Sequence, residues 1–161
     1  MKLHLLRHAK TELLSFNKDD FHRKLLPKGI TQANMMGQFL YDHRVEPKEI
    51  LCSDAVRTRQ TLQVMAHFIE CPRIQFRKEL YLADKETYLN LIWSFNHKKD
   101  VLIVGHNEGI SELASYLSGE EIRLKTCGFV TLDLPGSSWK ETSGATGTVS
   151  LSYRPQVYFP D

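Results

Sequence analysis

The sequence predicts an α/β protein with three layers, in which helices cover both faces of a mainly parallel central sheet. Two short apolar runs, at residues 3–6 and 101–104, have the length and composition of strands that are buried on both faces. Stretches with apolar residues at helical spacing alternate with such runs. Near the C-terminus, Val149, Leu151 and Tyr153 alternate with polar residues, which predicts an antiparallel hairpin at the edge of the sheet.

A polar loop is predicted over residues 11–24, directly after the first strand. Its turn-forming residues are Asn17, Asp19 and Asp20. Because the loop starts where the first strand ends, it could cover a site there, and Arg23 and Lys24 could add positive charge. For each of these residues taken singly, a solvated surface position is the more common outcome.

Four helices are predicted from apolar residues at helical spacing. They cover residues 30–43, 55–68, 85–95 and a stretch that ends near Leu117. The apolar face of the first helix consists of Ile30, Ala33, Met36 and Leu40, with Gly37 permitting close packing. Ser53 and Asp54 favour the N-cap of the second helix, and Asp84 favours that of the third.

Three further strands are predicted at residues 49–52, 74–76 and 129–134. Pro135 and Gly136 turn the chain after the last of them, and residues 137–148 are typical of a surface loop inside the terminal hairpin. In open α/β sheets, ligands bind in the crevice outside the carboxyl ends of the strands. The residues that follow each strand are therefore the first functional candidates.

Length and composition limit the kinds of function. The chain has 161 residues, which suits a single domain spanning residues 1–161. Its net charge of +2, without a basic run that contains aromatics, argues against a nucleic-acid partner. No apolar stretch is long enough to cross a bilayer, and we expect no signal peptide. Cys52, Cys71 and Cys127 lack CxxC spacing, which predicts reduced thiols in a cytoplasmic protein.

Arginine and histidine residues follow three of the predicted strands. Arg7 and His8 end the first strand, Arg57 lies in the first turn of the second helix, and His106 follows the strand at 101–104. A cation in a first helical turn opposes the helix dipole, so the position of Arg57 is easier to understand if an anion binds there. Since turns after parallel strands share one edge of the sheet, we expect these side chains to converge. Guanidinium groups that bind two oxygens at once predict a pocket for a dianion, best a phosphoryl group.

Other kinds of site fit the sequence less well. An Arg-His pair at a strand end is often incidental, but a second histidine with the same placement weakens that interpretation. His4 and His8 would lie roughly 13 Å apart on an extended strand, so they cannot share a metal ion there. The chain has no HExxH or paired Cys/His motif, no Walker-type loop and no GxSxG elbow. We therefore expect neither a metal nor a cofactor.

Four segments, in order, resemble the histidine phosphatase superfamily, also called the phosphoglycerate mutase-like family. Residues 6–10, Leu-Arg-His-Ala-Lys, are similar to its RHG signature, and residues 53–61, Ser-Asp-Ala-Val-Arg-Thr-Arg-Gln-Thr, to its second motif. Residues 104–107, Val-Gly-His-Asn, resemble its third motif, and residues 27–33 match the intervening Gly-x-x-Gln-Ala segment. The small size, and Ala9 in place of glycine, are most similar to the SixA branch of phosphohistidine phosphatases.

The resemblance implies a covalent mechanism of phosphoryl transfer. His8 would attack phosphorus through one neutral ring nitrogen, while a backbone carbonyl holds the other nitrogen. The oxygens of the phosphoryl group would be held by Arg7, Arg57 and His106, and the charge of the arginines would keep His8 neutral. Asn107 is a weaker candidate for binding the substrate. Water would then hydrolyse the phosphohistidine.

The chain departs from the family at one position. The resemblance covers roughly residues 2–134, and larger members carry a general-acid glutamate where this chain has Leu82. Glu79 and Asp84 lie nearby but do not fit the spacing, and Asp84 is better explained as a helix cap. The SixA branch also lacks this acid, which implies a leaving group that needs little help, such as the imidazole of a phosphohistidine. A mutase is disfavoured for the same reason.

Two hypotheses of different class follow. The first is a metal-independent phosphatase that hydrolyses a phosphohistidine or a phosphomonoester. Its partner would be a phosphorylated protein, such as an HPt domain, or a small phosphorylated metabolite, and neither nucleic acid nor a membrane. The second is a non-catalytic module on the same fold that binds a phosphorylated ligand, which the missing acid would explain. The sequence favours the enzyme, because binding alone requires no histidine nucleophile, and it leaves the oligomeric state open.

Overall fold

The strands and helices of the protein alternate along the chain, which confirms the predicted α/β class. The computed structural model describes residues 1–14 and 19–157, so the turn predicted at Asn17 lies outside the described residues. The strands are β1 (Lys2–Arg7), β2 (Glu49–Ser53), β3 (Ile74–Arg77), β4 (Val101–Gly105), β5 (Phe129–Asp133) and β6 (Thr148–Tyr153). The α-helices of the described residues are α1 (Pro27–Asp42), α2 (Val56–Met65), α3 (Lys85–Trp93) and α4 (Gly109–Ser118).

All these strands belong to one sheet with the spatial order β3-β2-β4-β1-β5-β6. The pairs β2–β3, β2–β4 and β1–β4 are parallel, whereas β5 is antiparallel to both β1 and β6. The predicted antiparallel hairpin near the C-terminus is therefore present at one edge. Because β1, β2 and β4 are neighbours and parallel, their carboxyl ends lie side by side.

Helices cover both faces of the sheet because successive side chains of a buried strand point to opposite faces. Leu3, Leu5 and Ile103 belong to an apolar cluster that also contains residues of α3 and α4. Leu6 and Leu102 belong to a second cluster, with residues of α1 and α2. Every position of β4 is buried. The predicted arrangement of three layers is confirmed.

The first helix is longer than predicted and buries fewer of its apolar residues. It begins at Pro27, a residue well suited to the first helical position because its ring fixes φ and no partner for an N–H is needed there. Of the predicted apolar face, Ala33, Met36 and Leu40 are buried, but Ile30 is 45% exposed, so that part of the prediction is wrong. Gly37 lies against the ring of Phe68, which confirms the predicted close packing.

The N-terminus of α2 also differs from the prediction. Its N-cap is Ala55, which makes no side-chain cap, so the prediction that Ser53 or Asp54 caps this helix is wrong. Ser53 is still the last residue of β2, and the Asp54 carboxylate pairs with Arg59. Arg57 lies in the first turn of the helix, as predicted. Arg59 points to the surface, also as predicted.

The segment between β5 and β6 is not the simple surface loop predicted over residues 137–148. Trp139 within it is fully buried, and its ring packs edge-on against Phe95. A single tryptophan in a Ser-, Thr- and Gly-rich stretch gives no periodic signal, so the sequence could not place it in the core.

No helix in the described part of the chain is long and apolar enough to cross a membrane. The three cysteines are free thiols, as expected, with Cys52 and Cys127 buried and Cys71 partly exposed. That residues 1–161 form a single domain, and that the protein is cytoplasmic, stay predictions.

Candidate active site

The predicted site residues lie at the carboxyl edge of the central parallel strands. His8 follows β1, Arg57 lies in the first turn of α2, and His106 follows β4. Together with Arg7 and Asn107, they line a cavity of about 260 Å³. The other lining residues are Lys10, Thr11, Leu13, Asp20, Arg23, Leu82 and Thr126. The structure therefore brings together all five residues that the sequence proposed for the site.

The imidazole of His8 is buried and held in one orientation. Its Nδ1 donates a hydrogen bond to the carbonyl oxygen of Ala9 at 2.8 Å, so Nε2 is the unprotonated nitrogen. The Nε–H of Arg57 donates toward this Nε2 at 3.3 Å. Burial lowers the pKa of His8 to about 3, helped by Arg57 and Arg7 and opposed by the hydrogen bond to Ala9. At neutral pH, His8 is therefore uncharged, and its unprotonated Nε2 has a lone pair that accepts from Arg57.

Arg57 is buried and anchored by Asp20, a residue that the sequence did not assign to the site. Its Nη1 donates to the backbone carbonyl of Asp20 at 2.7 Å, and its Nη2 pairs with Asp20 Oδ2 at 2.9 Å. The Tyr81 hydroxyl donates to the same Oδ2, and Arg23 pairs with Oδ1 at 2.8 Å. These contacts hold the end of the Arg57 guanidinium and leave its Nε directed at His8.

Asp20 is the only carboxylate among the described residues that line the cavity. Partial burial raises the pKa of this carboxyl, but hydrogen bonds from Tyr81 and Arg57 outweigh burial and bring the pKa down to about 2. The remaining charged residues of the lining are the cations Lys10, Arg7, Arg23 and Arg57. The cavity is therefore positively charged even with Asp20 ionised. Of the two cations proposed from the loop, Arg23 lines the cavity and Lys24 does not.

His106 is buried beside Ser53. Its Nε2 lies 2.6 Å from the Ser53 hydroxyl oxygen, and its ring centroid lies 5.3 Å from that of His8. Burial lowers the pKa of His106 to about 2, with further contributions from His8 and Arg57. The ring is therefore neutral at physiological pH.

Two buried nitrogen atoms of the site have no hydrogen-bond partner among the described residues. They are Nε of Arg7 and Nδ1 of His106. The Nη1 of Arg7 does have a partner, because it donates to the carbonyl of Leu124 at 3.2 Å. Buried polar atoms without a partner are uncommon, and each requires an explanation such as an absent ligand.

Asn107 lines the cavity, but both ends of its side chain already have partners in the protein. Its Nδ2 donates to the carbonyl of Leu124 at 2.8 Å, and its Oδ1 accepts from the Ser111 hydroxyl at 2.5 Å. The same Leu124 carbonyl accepts from Arg7. Nδ2 has a second N–H that a substrate oxygen could accept, and substrate binding by Asn107 stays a prediction.

Leu82 lies on the wall of the cavity with its side chain half exposed. The two nearby carboxylates have other partners. Asp84 accepts a hydrogen bond from the Thr87 N–H and caps α3, which confirms the sequence-based interpretation. Glu79 pairs with Arg77. Within residues 1–14 and 19–157, no group of three His, Cys, Asp or Glu side chains is placed to hold a metal ion.

The chain is similar in sequence to a known protein family and to known proteins. Residues 3–81 match the model of the histidine phosphatase superfamily (branch 1). An uncharacterised chloroplastic protein of Arabidopsis thaliana is 33% identical over 159 residues, which cover 91% of this chain and 72% of the relative.

Solved structures of SixA proteins have a fold similar to that of this chain. A candidate phosphohistidine phosphatase SixA from Agrobacterium tumefaciens superimposes with a TM-score of 0.83 at 29% identity, over 96% of this chain and 97% of that chain. The protein histidine phosphatase SixA in complex with tungstate shares the fold, with a TM-score of 0.81 at 19% identity over 96% and 97% of the two chains. The chain belongs to the histidine phosphatase superfamily (branch 1).

Proposed function

We propose that this protein is a metal-independent phosphatase in which Nε2 of His8 accepts the phosphoryl group of the substrate and water then removes it. The observation that carries the proposal is the pair of buried nitrogen atoms without partners, Arg7 Nε and His106 Nδ1, on two residues that line the same cavity as His8. Leaving such groups unpaired costs about 1–3 kcal/mol each. A bound phosphoryl group would supply oxygen acceptors for both and would bring phosphorus to the nucleophile.

Each residue has a defined part in the proposed reaction. The bond from His8 Nε2 to phosphorus forms as the bond to the leaving group breaks. The Nε–H of Arg57, which donates toward that lone pair in the free protein, becomes available to a phosphoryl oxygen. Arg7 and His106 hold the other oxygens as charge moves in the transition state. Water then attacks phosphorus and the Nε2–P bond breaks, so that inorganic phosphate leaves, one proton of the water passes to solvent, and His8 regains its lone pair.

A phosphohistidine is the substrate class that the site supports best. A poor leaving group needs a proton from a general acid. Among the described lining residues, Leu82 occupies the expected place of the acid, and Asp20 is held ionised by Arg57 and Tyr81. The likeness to SixA proteins supports the same choice. The partner would be a phosphorylated protein such as an HPt domain, with a small phosphorylated metabolite as the alternative.

The proposal is tested by looking for the covalent intermediate in the presence of EDTA. Wild-type protein should hydrolyse p-nitrophenyl phosphate and phosphorylated HPt protein, and rapid quenching should trap an acid-labile phosphoenzyme. His8→Ala should form no phosphoenzyme and lose roughly 10³-fold or more in rate. His67→Ala, which removes an exposed histidine outside the cavity lining, should behave as wild type. Equal phosphate release by wild type and His8→Ala would contradict the proposal.

A second candidate function is a non-catalytic module that binds phosphorylated ligands in the same cavity. The observation that favours it is the lack of a carboxylic acid in protonated form among the described lining residues, since the pKa of Asp20 is lowered to about 2. This candidate predicts tight binding of phosphorylated HPt protein without a phosphoenzyme. Trapping a phosphoryl group on His8 excludes it.

A further inference from the structure

We infer that Ser53 fixes the tautomer of His106, so that His106 holds the phosphoryl group as a neutral hydrogen-bond donor through Nδ1–H. The inference rests on the proposed function and adds the residue that prepares one of its phosphate-binding groups. Ser53 is not among the residues that line the cavity. It acts through His106 and is therefore a positioning residue.

The direction of the hydrogen bond between Ser53 and His106 follows from the other contacts of the hydroxyl. The two side chains are almost completely buried, at 0% and 1% exposure, and Ser53 Oγ lies 2.6 Å from His106 Nε2. Ser53 Oγ already accepts a long hydrogen bond from the Ala55 N–H at 3.4 Å. The hydroxyl proton has one acceptor among the described residues, the Nε2 of His106. Since Nε2 accepts, the proton of the neutral imidazole lies on Nδ1.

The opposite tautomer would fit a phosphate site poorly. A proton on Nε2 would leave a lone pair on Nδ1, and this lone pair would repel the phosphoryl oxygens that Arg7 and Arg57 attract. The Ser53 hydroxyl would also keep a buried proton without an acceptor, which is unfavourable.

A charged His106 is disfavoured by its surroundings. The titratable and charged groups around it are His8 after β1, Arg57 in α2, and Tyr81, Asp20 and Arg23. Asp20 is the one anion of this set, and it is already paired with both arginines. A proton added to His106 would therefore face two guanidinium groups in a buried site. The neutral Nδ1–H form offers a donor without that cost.

His8 and His106 then carry their protons on the same ring atom for opposite purposes. The Ala9 carbonyl accepts the Nδ1 proton of His8, so Nε2 is the unprotonated nitrogen that attacks. The Ser53 hydroxyl occupies Nε2 of His106 and leaves Nδ1–H free to donate. His8 needs a hydrogen-bond acceptor at the ring nitrogen that does not attack, and the Ala9 carbonyl is that acceptor. His106 needs a donor at the ring nitrogen that does not bind phosphate, and the Ser53 hydroxyl is that donor.

The tautomer of His106 can be read directly in the wild-type protein. In ¹⁵N NMR of protein labelled at histidine, we expect a protonated Nδ1 and an unprotonated Nε2 for His106, unchanged between about pH 5 and pH 8. The signal is assigned by its loss in His106→Gln. A proton found on Nε2, or a charged ring at pH 6, overturns the inference.

Ser53→Ala tests the consequence for activity. Without the hydroxyl, nothing holds the proton of the neutral ring on Nδ1, so the ¹⁵N spectrum should show protonation of Nε2 and kcat should fall roughly 10- to 100-fold. Ser53→Thr keeps the hydroxyl and should keep the wild-type tautomer. Thr58→Val removes a buried hydroxyl that donates to the Ser53 carbonyl, not to His106, and should also keep the wild-type tautomer.

The outcomes separate this inference from the proposed function. If Ser53→Ala shows the wild-type kcat and the wild-type tautomer, the inference is wrong even though the phosphatase remains. If the wild-type protein forms no phosphoenzyme, the proposed function is wrong, while the NMR experiment still decides the tautomer. If Ser53→Ala does not fold, the wild-type spectrum alone decides.

Discussion

The guanidinium group of Arg57 is held at both ends by residues that are distant in the sequence. Its two terminal nitrogens contact Asp20, and its Nε is directed at His8. A cation in the first turn of a helix is disfavoured by the helix dipole, and the carboxylate of Asp20 offsets this cost. Asp20 also joins Arg57 to Arg23 and Tyr81. One carboxylate therefore organises this wall of the cavity.

Asp20→Asn should lower kcat/KM roughly 10- to 100-fold, because a neutral amide cannot pair with two guanidinium groups and Arg57 would be held only by the backbone carbonyl of residue 20. Steady-state hydrolysis of p-nitrophenyl phosphate measures the effect. Asp19→Asn is the matched control, since Asp19 is an exposed carboxylate in the same turn that pairs with His22. Unchanged kinetics in Asp20→Asn would show that Arg57 needs no anchor.

The sequence could predict the arginines and histidines of the cavity but not the residues that hold them. Arg7, His8, Arg57 and His106 end or follow a strand or open a helix, positions that a parallel sheet makes functional. Asp20 has the local character of a turn former, and its partners Arg57 and Tyr81 are 37 and 61 positions away. Ser53 has the local preference of a helix cap, but its partner His106 is 53 positions away.

Helix α1 supports two different parts of the molecule through its two glycines. A Cβ at Gly29 would overlap the backbone of Lys10, whose amide donates to the Gln32 side chain at 2.9 Å. The first turn of α1 therefore holds the segment that follows β1 and carries the nucleophile. A Cβ at Gly37 would overlap the ring of Phe68, where α1 packs on the turn that follows α2.

Gly29→Ala and Gly37→Ala should each destabilise the protein by about 1–3 kcal/mol, since both overpack a close contact. Gly29→Ala alone should also lower kcat of the folded protein, because the Lys10 backbone must move next to the site, whereas Phe68 does not line the cavity. Urea unfolding and kinetics below the unfolding range separate the two effects. Gln38→Ala, on the exposed side of α1, is the control. A wild-type kcat in Gly29→Ala would contradict this account.

Element types followed from the sequence, whereas several ends and faces did not. Periodicity gives the spacing of apolar residues but not where the neighbouring element ends, so it placed the half-exposed Ile30 on the buried face of α1. Helix α2 was predicted to reach residue 68 but ends at Met65, and the turn that follows brings Phe68 against Gly37. These differences arise from contacts between elements, which a local pattern does not contain.

The strand order of the whole sheet explains how the site is assembled. Strand β4 lies between β2 and β1, so the residue after β4, His106, is placed between the Ser53 end of β2 and the His8 end of β1. The sequence predicted that these ends share one edge, because the strands are parallel. It did not give their order, which depends on how the helices cross the two faces.

Three histidines that are buried in the neutral form make the stability of the whole molecule depend on pH. Burial lowers the pKa of His4 to about 4, that of His8 to about 3 and that of His106 to about 2. In the unfolded chain each group regains its ordinary pKa of 6.5, so the unfolded chain binds more protons below that pH. The stability that these groups contribute is therefore complete above about pH 6.5 and is lost as the pH falls toward the folded values.

The free energy of unfolding should consequently be lower at pH 5 than at pH 7, by up to about 1.4 kcal/mol per pH unit for each histidine. His4 allows this to be tested away from the site, because it lies in β1, bonds Thr131 at 2.7 Å and does not line the cavity. His4→Asn should lower the free energy of unfolding at pH 7. It should also make the free energies of unfolding at pH 7 and pH 5 differ by less than in the wild type, because one of the three titrating histidines is gone. Urea unfolding of both proteins at the two pH values measures this difference. Equal stability of the wild type at pH 7 and pH 5 would mean that the buried rings take up protons without unfolding the chain.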